Sequence, residues 1–330
     1  MSVLVTGGAG YIGSHMVLAL IDAGEPVAVL DNLSTGFRWA VPKGAELIVG
    51  DAGDEVLVER IIAEKHIDAI IHFAARMVVP ESITDPLGYY LNNTSKARNL
   101  IASAVAGGVR HFIFSSTAAV YGEAKVNPVS EDEPTAPVSP YGRSKLMVEW
   151  MLEDAGRAHD LRSVVLRYFN VAGADPQGRS GQSTANATHL IKVAVQAALG
   201  RRPHLDVFGA DYPTPDGSCL RDYIHVTDLV QAHMAGLAHL RAGGASLTCN
   251  CGYGRGISVF EVAEAVKRIS GVNFKVRIAG RRPGDPAAIV AHADRIKVNL
   301  GWRPRHDRLD EIVRQALDWE RRLHNRGDDG

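Results

Sequence analysis

The chain opens MSVLVTGGAGYIGSH: an apolar run from Ser2 to Thr6 passes directly into Gly7, Gly8, Gly10 and Gly13, and then into residues of helical character. A strand, a glycine-rich tight turn and a helix in that order form a mononucleotide-binding unit. The glycines let the backbone approach a pyrophosphate, and the helix start behind them offers amide hydrogens and a dipole that favour negative charge. Gly7, Gly10 and Gly13 fit TGxxGxxG, and Gly8 opens an overlapping GxGxxG. A bound dinucleotide is the expectation.

Asp31 ends the second apolar run, at the distance from the glycines where a carboxylate bonds the adenosine ribose hydroxyls of NAD and repels the 2′-phosphate of NADP. As alternatives, Asp31 is a turn cap, and Arg38 nearby is a phosphate partner that keeps NADP open.

Further apolar runs follow in the first half: EPVAVLD, AELIVGD, DAIIHFAA, RHFIFSS and RSVVLRYFN. Most are continuous rather than alternating, as in strands covered on both faces of a parallel sheet. Helix-compatible segments at about residues 11–23, 54–65, 86–107 and 141–159 separate them. This order predicts an α/β, doubly wound parallel (Rossmann) sheet with its ligand crevice at the carboxyl ends of the strands. After Asn170 the chain turns rich in Gly, Ser and polar groups and the segments shorten. Residues 1–170 are thus expected to form an NAD-binding domain. Residues 171–330 are expected to form mainly a smaller α/β substrate region, with segments returning to the main sheet. The final HNRGDDG reads as a frayed tail.

With 46% hydrophobic residues and a net charge of −1, a polybasic nucleic-acid binder and an acidic disordered chain are both excluded, which leaves a metabolite-handling globular protein. Cys219, Cys249 and Cys251 form no CxxC pair and join no His/Cys cluster of zinc spacing, so reduced thiols, a cytoplasmic protein and no metal are expected. No uninterrupted apolar stretch is long enough to span a membrane, and a turn beginning at residue 6 leaves no room for a cleaved presequence.

A second constellation is SPYGRSK. Ser139 suits an N-cap and Pro140 the first helical position, so Tyr141 and Lys145 share one face of the first turns. The ammonium and the helix dipole both favour phenolate, which predicts a lowered Tyr141 pKa and a general base that works near neutral pH. FSSTAAVYG, just upstream, brings Ser115, Ser116 and Thr117 to the end of a strand at the same crevice.

TGGAGYIGSH, DNLSTGFR, the Thr117 segment, the Tyr141/Lys145 pair, LRYFNVAGA, GRRP and LRDYIHVTDL together resemble the extended short-chain dehydrogenase/reductase family, from about residue 2 to 325. DYPTPDGSCLRDYIHVTDL places the resemblance among members that invert C4 of a UDP-hexose. It implies tightly held NAD and a catalytic Thr117, Tyr141 and Lys145. Thr117 and Tyr141 would contact the sugar 4-hydroxyl, and Lys145 the nicotinamide ribose. Along the cofactor it implies Tyr11, Ile12 and Asn32, then Asp51 and Ala52 flanking adenine, and Phe73, Ala74, Asn93, Ser115 and Tyr168. Toward the UDP-sugar it implies Asn170, His189, Leu190, Arg221, Arg282, Asp285 and Ile289. A homodimer through helices near 86–107 and 141–159 is implied as well. The two arginines have a physical case of their own, because a guanidinium grips a diphosphate bidentately.

Three positions depart from the family pattern. Met77 stands where some relatives carry a lysine, His189 where others have a substrate-binding Asn, and Ile289 where some have a bulky Tyr facing the hexose. The rival readings are a 4,6-dehydratase and a non-catalytic NAD-binding scaffold. Elimination needs an acid/base pair directly after the Thr, where this chain has Ala118 and Ala119. A scaffold has no use for Thr117, Tyr141, Lys145 and two diphosphate arginines together.

Overall fold

The computed structural model describes residues 1–184, 187–282 and 285–327. Ala185 and Asn186 in the polar stretch after Asn170, Pro283 and Gly284 in the GRRPGD segment, and the last three residues lie outside the described residues.

The first half alternates as the sequence predicts. It runs β1 (Ser2–Thr6), α1 (Tyr11–Asp22), β2 (Val27–Asp31), β3 (Glu46–Val49), α2 (Glu55–Lys65) and β4 (Ile67–His72). Next come α3 (Val79–Thr84), α4 (Pro86–Tyr89), a π-helical turn (Tyr90–Ser95) that leads into α5 (Lys96–Ala106), β5 (His111–Thr117), α6 (Pro140–Ala158) and β6 (Arg162–Tyr168). The second half holds β7 (Asn170–Ala172), α7 (Leu190–Ala198), β8 (Leu205–Phe208), β9 (Leu220–Arg221), β10 (Tyr223–His225) and α8 (Val226–Arg241). It continues through β11 (Leu247–Cys251), β12 (Ile257–Ser258), α9 (Val259–Ser270), β13 (Val276–Ala279), β14 (Ala288–Ile289), α10 (Asp294–Leu300) and α11 (Leu309–Gly327).

Seven strands form the main sheet in the order β11-β6-β5-β4-β1-β2-β3, every neighbouring pair parallel. All five residues of β1 are buried, because successive side chains enter opposite cores. Val3 and Val5 pack with Val29, Ile71 and Ile113 against Met16 and Leu20 of α1 and Leu229 of α8. Leu4 packs on the other face with Leu30, Ile70 and Phe112 against Ile61 of α2, Leu100 of α5 and Val148 of α6. This two-sided burial explains the continuous apolar runs.

β11, from the second half, pairs with β6, Cys251 opposite Tyr168. A third core, with Ile191, Val195, Val262, Val266, Val313 and Leu317, joins α7, α9 and α11. Here the described part of the tail, residues 324–327, departs from expectation. The helix continues through Gly327, carried on from the docked face of Ile312, Val313 and Leu317, where a frayed end was expected.

At the cofactor turn Gly7 has φ +74°, and a Cβ on Gly13 would lie 2.1 Å from the Gly7 carbonyl oxygen. Neither group can yield without moving backbone. Gly13→Ala is therefore expected to destabilise the protein by about 1–3 kcal/mol, the usual cost of overpacking, and to weaken dinucleotide binding. Thermal denaturation and calorimetric titration with NAD test this; a variant that melts and binds like the parent would show that the turn is not held by this contact.

Candidate active site

The residues expected along a cofactor collect at the carboxyl ends of β1, β2, β4 and β5. Gly10 caps α1 without a side-chain acceptor, and the first turn, from Tyr11 and Ile12, has no acidic residue. Among the described residues the leading amides thus have no side-chain partner, which suits an anion. Asp31 is buried and accepts from the Ala9 amide at 2.9 Å and the Leu33 amide at 2.8 Å, so its carboxylate is fixed beside the glycine turn. Asn32 bonds Asp51, whose Oδ1 accepts from the Gly53 amide at 2.8 Å. Burial works to raise Asp51, but the Lys96 ammonium and the Gly53 amide hold it below the usual carboxylate range. Ala52 packs under this loop against the second core.

Across the cleft the Phe73 amide donates to the Thr6 carbonyl at 3.0 Å, and Ala74 backbone closes on Gly7 so tightly that a Cβ there would sit 2.7 Å from the Ala74 nitrogen. Asn93 clamps the following loop: it bonds the Arg76 amide and carbonyl at 2.8 and 2.9 Å and donates to Ser144 of α6 at 3.1 Å. Glycine surfaces that any Cβ would obstruct, unpartnered helix-start amides and a fixed carboxylate together fit a dinucleotide.

The YxxxK residues sit where helix geometry puts them. Ser139 Oγ accepts from the Gly142 amide at 3.1 Å and Pro140 follows, so α6 begins one residue before Tyr141. Thr117, the last residue of β5, lies opposite Tyr168 of β6, and its hydroxyl bonds the Tyr141 phenol. Ser115 is hydrogen-bonded to His233 at 2.9 Å, and Phe73 packs 4.8 Å from the same imidazole. Lys145 is 3% exposed, its ammonium 4.5 Å above the Phe114 ring.

The electrostatics correct one expectation. Burial raises Tyr141 above the ordinary phenol value, with the Thr117 bond opposing, where Lys145 and the helix dipole were expected to lower it. Burial also pulls Lys145 itself down to about 7, against the attraction of Glu149. Desolvation is the largest cause at both groups, and it disfavours the charged form of each. Tyr168 is raised by burial and by the adjacent Tyr141.

On the far side Asn170 begins β7, and the residues Asn170, His189, Leu190, Tyr223, Gln182 and Glu320 line one cavity. His189 caps α7 and bonds Gln182 at 2.7 Å; burial lowers its pKa, so it presents a neutral imidazole. Ile289 of β14 and Arg221 of β9 are register partners. Arg221 is less free than a diphosphate clamp read from sequence: its Nη1 donates to the Leu220 and Pro286 carbonyls at 2.8 and 2.9 Å, and Nη2 lies 3.5 Å from Asp285. Arg282 lies 3.6 Å over the Phe208 ring.

Several residues here went unread. His72 bonds Thr6 at 2.7 Å and is pushed down to about 3 by burial and the Lys145 charge; His233 seats Ser115; Glu149 acts on Lys145. Only Glu149 had a local signal, its position one helical turn after Lys145.

Residues 3–252 match the NAD dependent epimerase/dehydratase family. The chain is 59% identical to the UDP-glucose 4-epimerase of Azospirillum brasilense over 97% of its own length and 92% of that protein. It superposes on the UDP-glucose 4-epimerase of Brucella ovis, solved in complex with NAD, with a TM-score of 0.94 and 42% identity, covering 96% of this chain and 97% of the other. On the UDP-Glc/GlcNAc 4-epimerase of Campylobacter jejuni the TM-score is 0.85 at 46% identity, covering 97% and 99%.

The Thr117 bond makes a spectroscopic prediction. In an ultraviolet difference titration of the parent against Tyr141→Phe, the Tyr141 phenolate appears above the ordinary phenol range. Thr117→Val removes the opposing bond and moves that titration to still higher pH. An unmoved titration would show that the hydroxyl does not act on the phenol.

Proposed function

The chain belongs to the NAD dependent epimerase/dehydratase family, and from that premise we propose that it interconverts UDP-glucose and UDP-galactose by inverting C4 through a 4-keto sugar. The observation that carries the reading is the Tyr141 phenol bonded by Thr117 at the carboxyl end of β5 and followed one turn later by buried Lys145.

The residues divide the work as follows. Gly7, Gly10, Gly13 and the start of α1 hold the pyrophosphate, and Asp31 selects NAD over NADP through the adenosine ribose. Asn32, Asp51 and Ala52 border the adenine end; Phe73, Ala74, Asn93, Ser115 and Tyr168 line the rest. When bound, NAD supplies the hydride acceptor and donor. Tyr141 takes the proton of the sugar 4-hydroxyl while Thr117 orients that hydroxyl, and Lys145 supports the cofactor ribose. A phenol raised by burial is a strong acceptor once ionised, and it returns the same proton to the C4 oxygen when the ketone is reduced on its opposite face. The 4-ketone turns between the two transfers while Asn170, Leu190, Arg221, Arg282 and Asp285 retain the UDP. Residues 1–170 thus form the cofactor domain and 171–330 mainly the substrate region.

Two copies pair through the helices between residues 86–107 and 141–159, a reading supported by exposed Leu87, Leu91 and Trp150 on these segments. Three free cysteines support a cytoplasmic setting, and among the described residues no helix is long and apolar enough to cross a membrane.

Purified protein freed of unbound cofactor is expected to convert UDP-galactose to UDP-glucose over many turnovers with no net NADH accumulating. Tyr141→Phe should lower kcat at least ~10²–10⁴-fold, the usual contribution of general acid–base catalysis. Stoichiometric NADH release would identify a dehydrogenase instead, and near-normal kcat in the variant would remove Tyr141 from the chemistry.

Substrate width turns on Ile289, shorter than Tyr and beside Arg221. It leaves room for a 2-acetamido group, a reading supported by the likeness to a protein named for both Glc and GlcNAc substrates. The parent should therefore turn over UDP-N-acetyl sugars, and Ile289→Tyr should lose that activity while keeping the plain hexoses. Absence of N-acetyl turnover in the parent contradicts this.

A further inference from the structure

Lys145 makes no direct pair with a carboxylate among the described residues, although it lies 3% exposed in a site lined by ring carbons. The buried carboxylate of α6 is Glu149, four residues on and so on the same helical face. Two strands immobilise it. From β5, Ser116 Oγ donates to its Oε1. From β6, Arg167 Nε lies 3.1 Å from both oxygens and Nη2 2.6 Å from Oε2. Arg167 is in turn fixed by Tyr121 at 3.0 Å, and Tyr121 by Asn250 of β11 at 2.7 Å. A carboxylate held at both oxygens cannot swing over to pair with Lys145, so it acts through its field.

We propose that Glu149 is a positioning residue for the reaction: a carboxylate pinned by Ser116 and Arg167 one helical turn behind Lys145, whose charge keeps the Lys145 ammonium protonated where water is excluded. The proposal rests on the reaction assigned above. The other groups around Lys145 do not supply that charge. His72 of β4 and His233 of α8 are neutral, pushed down by burial to about 3 and about 4. Tyr141 on α6 and Tyr168 on β6 are protonated phenols, Phe114 on β5 is a ring, and Arg167 is itself a cation. Burial alone would drive Lys145 toward the neutral amine, and Glu149 is the charge that opposes it. The Glu149–Arg167 pair also looks like an ordinary structural ion pair, and a purely structural role makes a different prediction.

The test compares the parent with Glu149→Gln, Glu149→Asp and the double variant Glu149→Gln/Arg167→Met, which leaves no unpaired buried cation should the single variant fold poorly. Two quantities are followed against pH: kcat for UDP-galactose, and competitive labelling of Lys145 by acetic anhydride, read by peptide mass spectrometry. Removing the negative charge lets Lys145 lose its proton at lower pH. Both the alkaline limb of kcat and the labelling midpoint should then move down by at least about one pH unit in the Gln variants. The Asp variant should return both toward the parent. Unmoved midpoints in the Gln variants, whatever their rates, overturn the proposal and leave a structural pair. A parent with no epimerase turnover would overturn the assigned reaction instead, while the labelling midpoints would still decide the role of Glu149.

Discussion

The structure turns on one close approach, the packing of Gly13 at the start of α1 against the Gly7 carbonyl, with Ala74 backbone closing on Gly7 from just beyond β4. With no side chain on these glycines, α1 sits directly over the end of β1, and its leading amides open toward the crevice. Asp31 then reaches back to the Ala9 amide and fastens β2 to the same turn. Three adjacent strands are thereby locked at their carboxyl ends, so the glycine turn and the centre of the sheet are one construction.

From this anchor the second half is tied in by a few polar contacts. The Tyr11 hydroxyl donates to the Gly173 carbonyl at 2.7 Å, Ser14 meets Ser180 at 2.7 Å, and Arg179 bridges Asp175 and Asp22. All reach from α1 to the segment that follows β7. The helix that starts at the glycine turn therefore also sets the position of the second half, while β11 joins the sheet beside β6.

Within the site, desolvation sets the charge balance. Tyr141 is raised and Lys145 lowered by the same cause, loss of water around an ionisable group. Proximity alone, which is what a YxxxK spacing reports, would have moved the phenol the other way. Under the proposed reaction Tyr141 has to ionise before it can take a proton, a step that a charged Lys145 favours, and this gives the buried carboxylate at Glu149 its importance.

Much was determined by the sequence alone. The glycine turn, the continuous apolar runs and the Ser139–Pro140 helix start specify local geometry through backbone sterics, two-sided burial and capping, and these act over a few residues. The strands and helices of the first half and the shared face of Tyr141 and Lys145 were legible for that reason. Tertiary structure decided what depends on groups distant in sequence. It brought Thr117 to Tyr141, His72 to Thr6, His233 to Ser115 and Arg167 to Glu149; it engaged Arg221 with the Pro286 carbonyl; and it carried α11 as far as Gly327, into the first part of the expected tail, by docking its apolar face. It also reversed the expected shift of Tyr141, because burial is a property of the whole packed crevice, and a residue's neighbours in sequence do not reveal how much water the fold removes from it.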